Sequence, residues 1–372
     1  METNKVISRG EKVRIDHIQA CAYRIPTDFP ESDGTLEWNS TTMVLVKVSA
    51  GNATGLGYTY ADTATASLIH GLLSGIVKGR DAMDIADCWQ AMVARTRNLG
   101  RPGIVSMAIS AVDAALWDLK ARLLKLPLAK LLGAVRDSVP VYGSGGFTSY
   151  SDRQLREQLG AWVKHGIPRV KMKIGRDAAA DLQRVRAARD EIGPKAELFV
   201  DANGAYSRKQ ALAQAEKFAE HGVSWFEEPV SSDDLAGLHL IRNRAPAPTE
   251  IAAGEYGYEA GYFRRMLEEG AVDVLQADAT RCGGITGFLQ VSSLCEAFHV
   301  PLSAHTAPAL HTHVGCAVAP LRHVEYFHDH VRIEEMFFDG VSQSVGGELR
   351  PDLSRPGMGI ELKRADVEQF AA

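Results

Sequence analysis

The stretch VKMKIGRDAAADLQRVRAARDEIGPKAELFVDANG (170–204) decides how the chain is read. It opens on a β-rich run, passes through an amphipathic segment long enough for a helix, and closes on a second β-rich run. Both runs end in polar residues, Lys171 and Lys173 in the first, Asp201 and Asn203 in the second. Working outward, the same unit recurs. β-Rich runs fall at 139–144, 169–174, 197–201, 224–228, 251–255, 272–278, 301–305 and 323–327, with helical patterns between them. Eight strands alternating with helices predict a parallel α/β barrel, spanning 134–349.

The 133 residues before it have another texture. β-Rich runs at 13–24 and 42–48 flank a polar, Pro-containing stretch, 26–38, which reads as a long loop and a candidate lid. Helical patterns follow at 66–73, 82–97 and 104–124, making an α+β module. The Gly- and Pro-rich tail, from about 350 to 372, reads as a return across the surface. At 372 residues the chain is too long for one ordinary core, and two domains are expected.

Composition narrows the function. Hydrophobic residues at 45% with 23% charged describe a globular protein rather than a disordered one. Forty-one basic against 46 acidic residues, a formal charge of −5, argue against nucleic acid as a partner. No apolar run approaches the length of a membrane span, and the first residues lack the apolar core of a secretory signal. Five cysteines, none in a C-x-x-C pair, fit a reducing cytoplasm better than a disulfide or zinc framework. A cytoplasmic, homo-oligomeric enzyme acting on a small molecule is the expectation.

Chemistry in such a barrel collects at the carboxyl ends of the strands. Lys173, Asp201, Glu227, Glu255, Asp278, His305 and Glu325 follow one another at intervals of 28, 26, 28, 23, 27 and 20 residues, about one βα unit each. All should face one rim. Asp201, Glu227 and Glu255 come from adjacent strands; three converging carboxylates repel, and a hard cation resolves the conflict. Oxygen-only ligation favours Mg²⁺, or Mn²⁺, over zinc. Lys171 and Lys173, two apart on a strand, share a face, and their mutual repulsion would depress one pKa enough to make a neutral base. Asp278 beside His305 would fix the imidazole tautomer and make an acid–base dyad. No G-x-S-x-G elbow is present, and Ser303 lies a layer below His305, which counts against a serine hydrolase.

The strings VKMKIG (170–175), FVDANG (199–204), WFEEPV (225–230), AAGEYGY (252–258), LQADATRCGG (275–284), LSAHTAP (302–308) and HVEYF (323–327) together resemble the mandelate racemase subgroup of the enolase superfamily. The resemblance extends over nearly the whole chain, including ALWDLKARLLKLPLAKLLG (115–133). It implies a modified TIM barrel of the (β/α)7β type with an N-terminal α+β capping domain. It implies Mg²⁺ on Asp201, Glu227 (rather than Glu228) and Glu255, and Lys173 as base with Lys171 tuning it. His305 paired with Asp278 would work on the opposite face, and a protonated Glu325 would bond the substrate carboxylate. Asn203 would contact a substrate hydroxyl, and cap segments 26–38 and 58–62, with Asp28, Trp38 and Tyr58, would set specificity.

The resemblance leaves three readings open. The polar cap residues Thr27, Asp28, Glu31, Ser32, Asp33, Thr59, Tyr60 and Asp62 suit a polyhydroxylated substrate, so dehydration of an aldonate or aldarate is expected. Racemisation or epimerisation of a 2-hydroxy acid is the alternative, and a ligand-binding barrel without turnover is the third. Arg281, just past Asp278, would pair with a second substrate carboxylate if it reaches the pocket.

Overall fold

The computed structural model describes residues 12–372; residues 1–11, the start of the polar N-terminal segment, lie outside it. Three antiparallel strands come first: β1 (Ile15–Ser32), β2 (Glu37–Ala50) and β3 (Ala53–Tyr60). Helices follow, the longest Ile104–Leu123. The sheet lies so close to this helix that a Cβ on Gly57 would sit 2.3 Å from the carbonyl oxygen of Ala111, so only glycine allows the approach. The apolar face of β2 (Val44, Val46, Val48) packs on Ile109, Val112 and Leu116 to form the core of the cap.

Eight parallel strands follow: β4 (Val139–Gly145), β5 (Arg169–Lys173), β6 (Glu197–Asp201), β7 (Val223–Glu227), β8 (Glu250–Ala253), β9 (Val274–Ala277), β10 (Leu302–Ala304) and β11 (Leu321–Phe327). They pair in chain order and β11 closes on β4, so the sheet is a barrel. Tyr142, Phe199, Trp225, Ala252 and Val274 fill its interior, and Ser303 sits among the inward layer with its hydroxyl 2.9 Å from His323 Nδ1. The larger apolar core lies between the barrel and its helices, as expected for strands buried on both faces.

Two features of the cap differ from the sequence reading. Segment 26–38 is not a loop but the outer part of a β1–β2 hairpin, with Pro26 opposite Ser40 and Ser32 opposite Glu37. Its turn is closed by Asp33, whose carboxylate accepts from the backbone N–H of Thr35 and Leu36, an arrangement that hydrophobic periodicity does not reveal. Tyr58 lies within β3, opposite Leu45, instead of in a loop. Alternation there is masked because all of 55–60 is buried, between the cap helix on one side and the barrel on the other.

Cap and barrel are joined by buried polar contacts. Asp113 accepts from Thr286 N and Oγ1 at the start of helix Gly284–Phe298, satisfying a donor that the first helical turn leaves open. The tail returns to the cap: Gly357 and Met358 bond Leu128 and Asp118, and Ala372 N donates to Ala22 O. The arm tip rests on the barrel, where a Cβ on Gly34 would meet Ala202 O at 2.5 Å and Ile174 O at 2.7 Å.

Candidate active site

Lys173, Asp201 and Glu227 are the last residues of β5, β6 and β7, Glu255, Asp278 and His305 follow the ends of β8, β9 and β10 by one or two residues, and Glu325 lies near the end of β11. Lys173 aligns with Asp201, and Asp201 with Glu227, because β5, β6 and β7 run parallel in register. The oxygens of Asp201, Glu227 and Glu255 lie within 4.8 Å of one another, and all three residues are buried. Lys173 Nζ is 2.5 Å from Asp201 Oδ2. Lys171 Nζ is 2.6 Å from Glu227 Oε1, 2.8 Å from Glu325 Oε1 and 3.4 Å from Asp201 Oδ2. Across the barrel His305 Nδ1 meets Asp278 Oδ2 at 2.9 Å, while Nε2 lies 3.1 Å from Glu255 Oε2 and 3.6 Å from Glu325 Oε2. The contacts run as a chain from Lys173 through Asp201, Lys171, Glu325 and His305 to Glu255.

The electrostatics correct two expectations. Burial would lower both ammonium groups, but Glu227 and Glu325 around Lys171, and Asp201 beside Lys173, outweigh it, and both lysines are held above the ordinary range. The repulsion between the lysines is real yet smaller than the attraction of the carboxylates, so neither is a neutral base in this state. Glu325 was expected to be protonated. Burial alone would favour that, but Lys171 and His305 hold its carboxyl down at about 2. Burial and the Asp201 charge push Glu227 up to about 8, and burial with Glu255 nearby raises Glu228 further. His305 is raised to about 9: burial opposes the charge, and Glu255, Glu325 and Asp278 more than compensate.

These residues fit a divalent cation. With every group ionised, six carboxylates (Asp201, Glu227, Glu228, Glu255, Asp278, Glu325) would face four cationic groups (Lys171, Lys173, Arg281, His305), and the raised carboxyls of Glu227 and Glu228 register that crowding of negative charge. Oxygen donors from three strands are a hard-cation set. Glu228 Oε1 is buried without a hydrogen-bond partner, which marks the cluster as over-supplied with negative charge. A cation on Asp201, Glu227 and Glu255 would take over the charge the lysines now neutralise.

Several neighbours complete the rim. Asn203 follows Asp201 in a left-handed backbone conformation (φ 44°), its Oδ1 buried and unpartnered. Thr306 and Ala307, after His305, are also left-handed, at φ 50° and 40°. Such strain in non-glycine residues gathers at functional sites. Arg281 reaches the cluster, with Nε 3.6 Å from Asp278 Oδ2 and Nη1 3.2 Å from the Glu255 carbonyl. Cys282 is buried beneath, and His330 stacks on Tyr60 at 3.4 Å. Tyr58 is buried and donates to Glu334 Oε1 at 2.6 Å, so its hydroxyl is already engaged. Trp38 donates to Glu31, and Asp28 lies against His328. Ser144, which donates to Glu325 Oε1 at 2.5 Å, was missed, although strand register with Lys171 makes it the rim residue of β4.

A capped parallel barrel that gathers three carboxylates, a lysine pair and a histidine–aspartate pair on one rim has the equipment for metal-assisted proton abstraction. The family models name the group. Residues 25–133 match the mandelate racemase/muconate lactonizing enzyme N-terminal domain, and 154–367 match the enolase C-terminal domain-like family. The chain belongs to the mandelate racemase/muconate lactonizing enzyme group and is an enzyme of the enolase superfamily.

A solved mandelate racemase/muconate lactonizing enzyme-like protein from Rubrobacter xylanophilus is 55% identical, with TM-score 0.95 over 96% of this chain and 100% of that one. A 3,6-anhydro-α-L-galactonate cycloisomerase of Streptomyces coelicolor is 33% identical over 94% of this chain and 97% of its own. The L-talarate dehydratase of Polaromonas sp. JS666, solved with Mg and L-glucarate, is 31% identical, with TM-score 0.86 over 96% and 97% of the two chains. Among the described residues no helix is long and apolar enough to cross a membrane.

Proposed function

We propose that this enzyme removes the proton alpha to the carboxylate of a sugar acid and then expels the oxygen substituent on the β-carbon, giving a 2-keto-3-deoxy acid. The observation that carries the reading is the placement of Lys173 and His305 on opposite sides of one carboxylate cluster, one against Asp201 and the other against Glu255 and Asp278. A base and an acid on opposite sides are what α-proton removal and β-oxygen departure require.

A divalent cation, Mg²⁺ or Mn²⁺, held by Asp201, Glu227 and Glu255 would stabilise the negative charge that develops on the substrate carboxylate. Lys173, released from Asp201, takes the α-proton. His305, oriented through Nδ1 by Asp278, gives its proton to the departing oxygen. Lys171 holds positive charge beside the enediolate. An incoming substrate carboxylate raises the Glu325 pKa by like-charge repulsion, and the protonated form then donates to it. Asn203 Oδ1 accepts from a substrate hydroxyl. The hairpin arm, seated on Ala202 and Ile174 through Gly34, keeps water out.

The leaving oxygen is hydroxide in a dehydratase. In a 3,6-anhydro acid it is the ring ether, which stays tethered, and the name of the Streptomyces coelicolor relative favours this as the second reading. The test is incubation with Mg²⁺ and a panel of aldonates, aldarates and 3,6-anhydro acids in D₂O. A semicarbazone-forming product lighter by one water selects dehydration, and one of unchanged composition selects ring opening. Solvent deuterium at the α-carbon without a keto product selects epimerisation. No exchange with any member overturns the proposal.

A further inference from the structure

Outside the rim, one other group of side chains has the composition of a metal site. Asp28 and Glu31 stand on the hairpin arm of the cap, and His328 begins the helix His328–Phe337 after β11. Each offers one ligand atom, and the three lie within 4.8 Å of one another. His328 Nε2 is 2.9 Å from Asp28 Oδ2. Glu31 is fully buried; its Oε2 accepts from Trp38 Nε1 at 2.8 Å, and its Oε1 has no hydrogen-bond partner.

Burial and the Asp329 charge push the Glu31 carboxyl up to about 9, and a buried carboxyl oxygen without a partner is still costly, one that native proteins rarely leave unless something else meets it. Neighbouring cations do not. Arg332 is bound to Asp329 and to the carbonyl of Pro26, Asp329 also holds Thr41, and among the described residues none donates to Glu31 Oε1. The backbone supplies the geometry. Between the Pro26–Ser40 and Glu31–Trp38 pairs, residues 27–30 of β1 face only Asn39 of β2, a bulge that turns Asp28 out of the ladder toward the barrel helix.

We propose that Asp28, Glu31 and His328 form a second divalent-cation site, separate from the rim cluster and selective for a transition metal such as zinc. The donor sets differ in kind. The rim offers carboxylate oxygens only, which suit Mg²⁺, whereas one imidazole nitrogen with two carboxylates suits zinc. Three protein ligands leave a coordination position for water. Asp28 is exposed and His328 partly so, which gives an ion a path in from solvent. Two ligands belong to the cap and one to the barrel, so the ion ties the arm to the barrel beside the active-site mouth.

The test is zinc uptake by the full chain in excess Mg²⁺, with bound metal counted after desalting. One zinc is expected per chain, lost in Asp28→Asn and in His328→Asn and retained when the rim is disabled by Asp201→Asn with Glu255→Gln. Asp28 is exposed, so its replacement leaves the fold intact. Zinc at about 100 times its Kd should slow opening-limited hydrogen exchange of arm amides 26–40 roughly 100-fold in the parent chain and not in Asp28→Asn. The proposal is overturned if both single variants keep the zinc, if the rim variant loses it, or if arm exchange in the parent ignores zinc.

Discussion

The two sides of the barrel mouth hold their proton-carrying groups differently. On the lysine side, Lys171 and Lys173 lean on Asp201 and Glu227, residues with a second task as candidate metal ligands. On the histidine side, His305 touches Glu255 but also has Asp278, which lies outside the ligand set. With a cation held by Asp201, Glu227 and Glu255, Lys173 would lose its partner, whereas His305 would keep Asp278. The lysine is freed to lose a proton, while the imidazole keeps its tautomer and orientation. The proposed roles follow this difference: the side that depends on the ligands would supply the base, and the side with a carboxylate outside the ligand set would supply the acid.

The strongest way to break that comparison is to remove one group from each side. Lys173→Ala and His305→Asn should each lower kcat by about 10²–10⁴-fold, the range of general acid–base catalysis, with cation affinity nearly unchanged by calorimetric titration. Loss of cation binding in either variant would mean that the ligands are wrongly assigned. The two should differ in α-proton exchange, which Lys173→Ala abolishes and His305→Asn retains. Equal loss in both would erase the distinction between base and acid.

Asp278→Asn acts on one side only. Roughly 10²-fold in kcat is expected, since the amide can present its N–H to Nδ1 and favour the wrong tautomer. The direction in pH follows from the raised pKa of His305, about 9, to which Asp278 contributes. The protonated acid persists below the His305 pKa and is lost above it. Without Asp278 the alkaline limb of the rate profile should move to lower pH, and the limb belonging to Lys173 should stay. A profile that keeps both limbs would show that Glu255 and Glu325 set the histidine without Asp278.

The rim was legible in the sequence because each member sits at a strand end and strand spacing repeats. Register then does the positioning, as the pairings of Lys173 with Asp201 and of Asp201 with Glu227 illustrate. The protonation states were not legible, since the balance at Lys173 and Glu325 depends on distances of 2.5–2.8 Å that no motif encodes. Nor was the arm. The Asp33 turn and the bulge at 27–30 are made by side chain–backbone bonds and ladder slippage, while Tyr58 is buried by a cap–barrel contact between residues 276 positions apart.

That contact gives the smallest effects and braces only the histidine side. Glu334 accepts from Tyr58 of the cap at Oε1 and from Ala309 N, four residues past His305, at Oε2. Burial pushes its carboxyl up from 4.5 to about 8. A group whose folded pKa is raised contributes stability that is complete below its unfolded pKa and is lost as pH rises through the folded one. Parent Tm should therefore carry a declining component from about pH 4.5 to 8 that Glu334→Gln removes, whatever that variant does to the absolute Tm. Tyr58→Phe deletes one donor to the same group and should cost about 1–2 kcal/mol in denaturant unfolding. Because it leaves Glu334 with one hydrogen bond fewer to its ionised form, it should also carry to higher pH the decline that Glu334→Gln flattens. If Tyr58→Phe flattened the slope instead, the titrating group at the joint would be something other than Glu334, and the bracing of the histidine side would have to be sought in the stack of Tyr60 on His330.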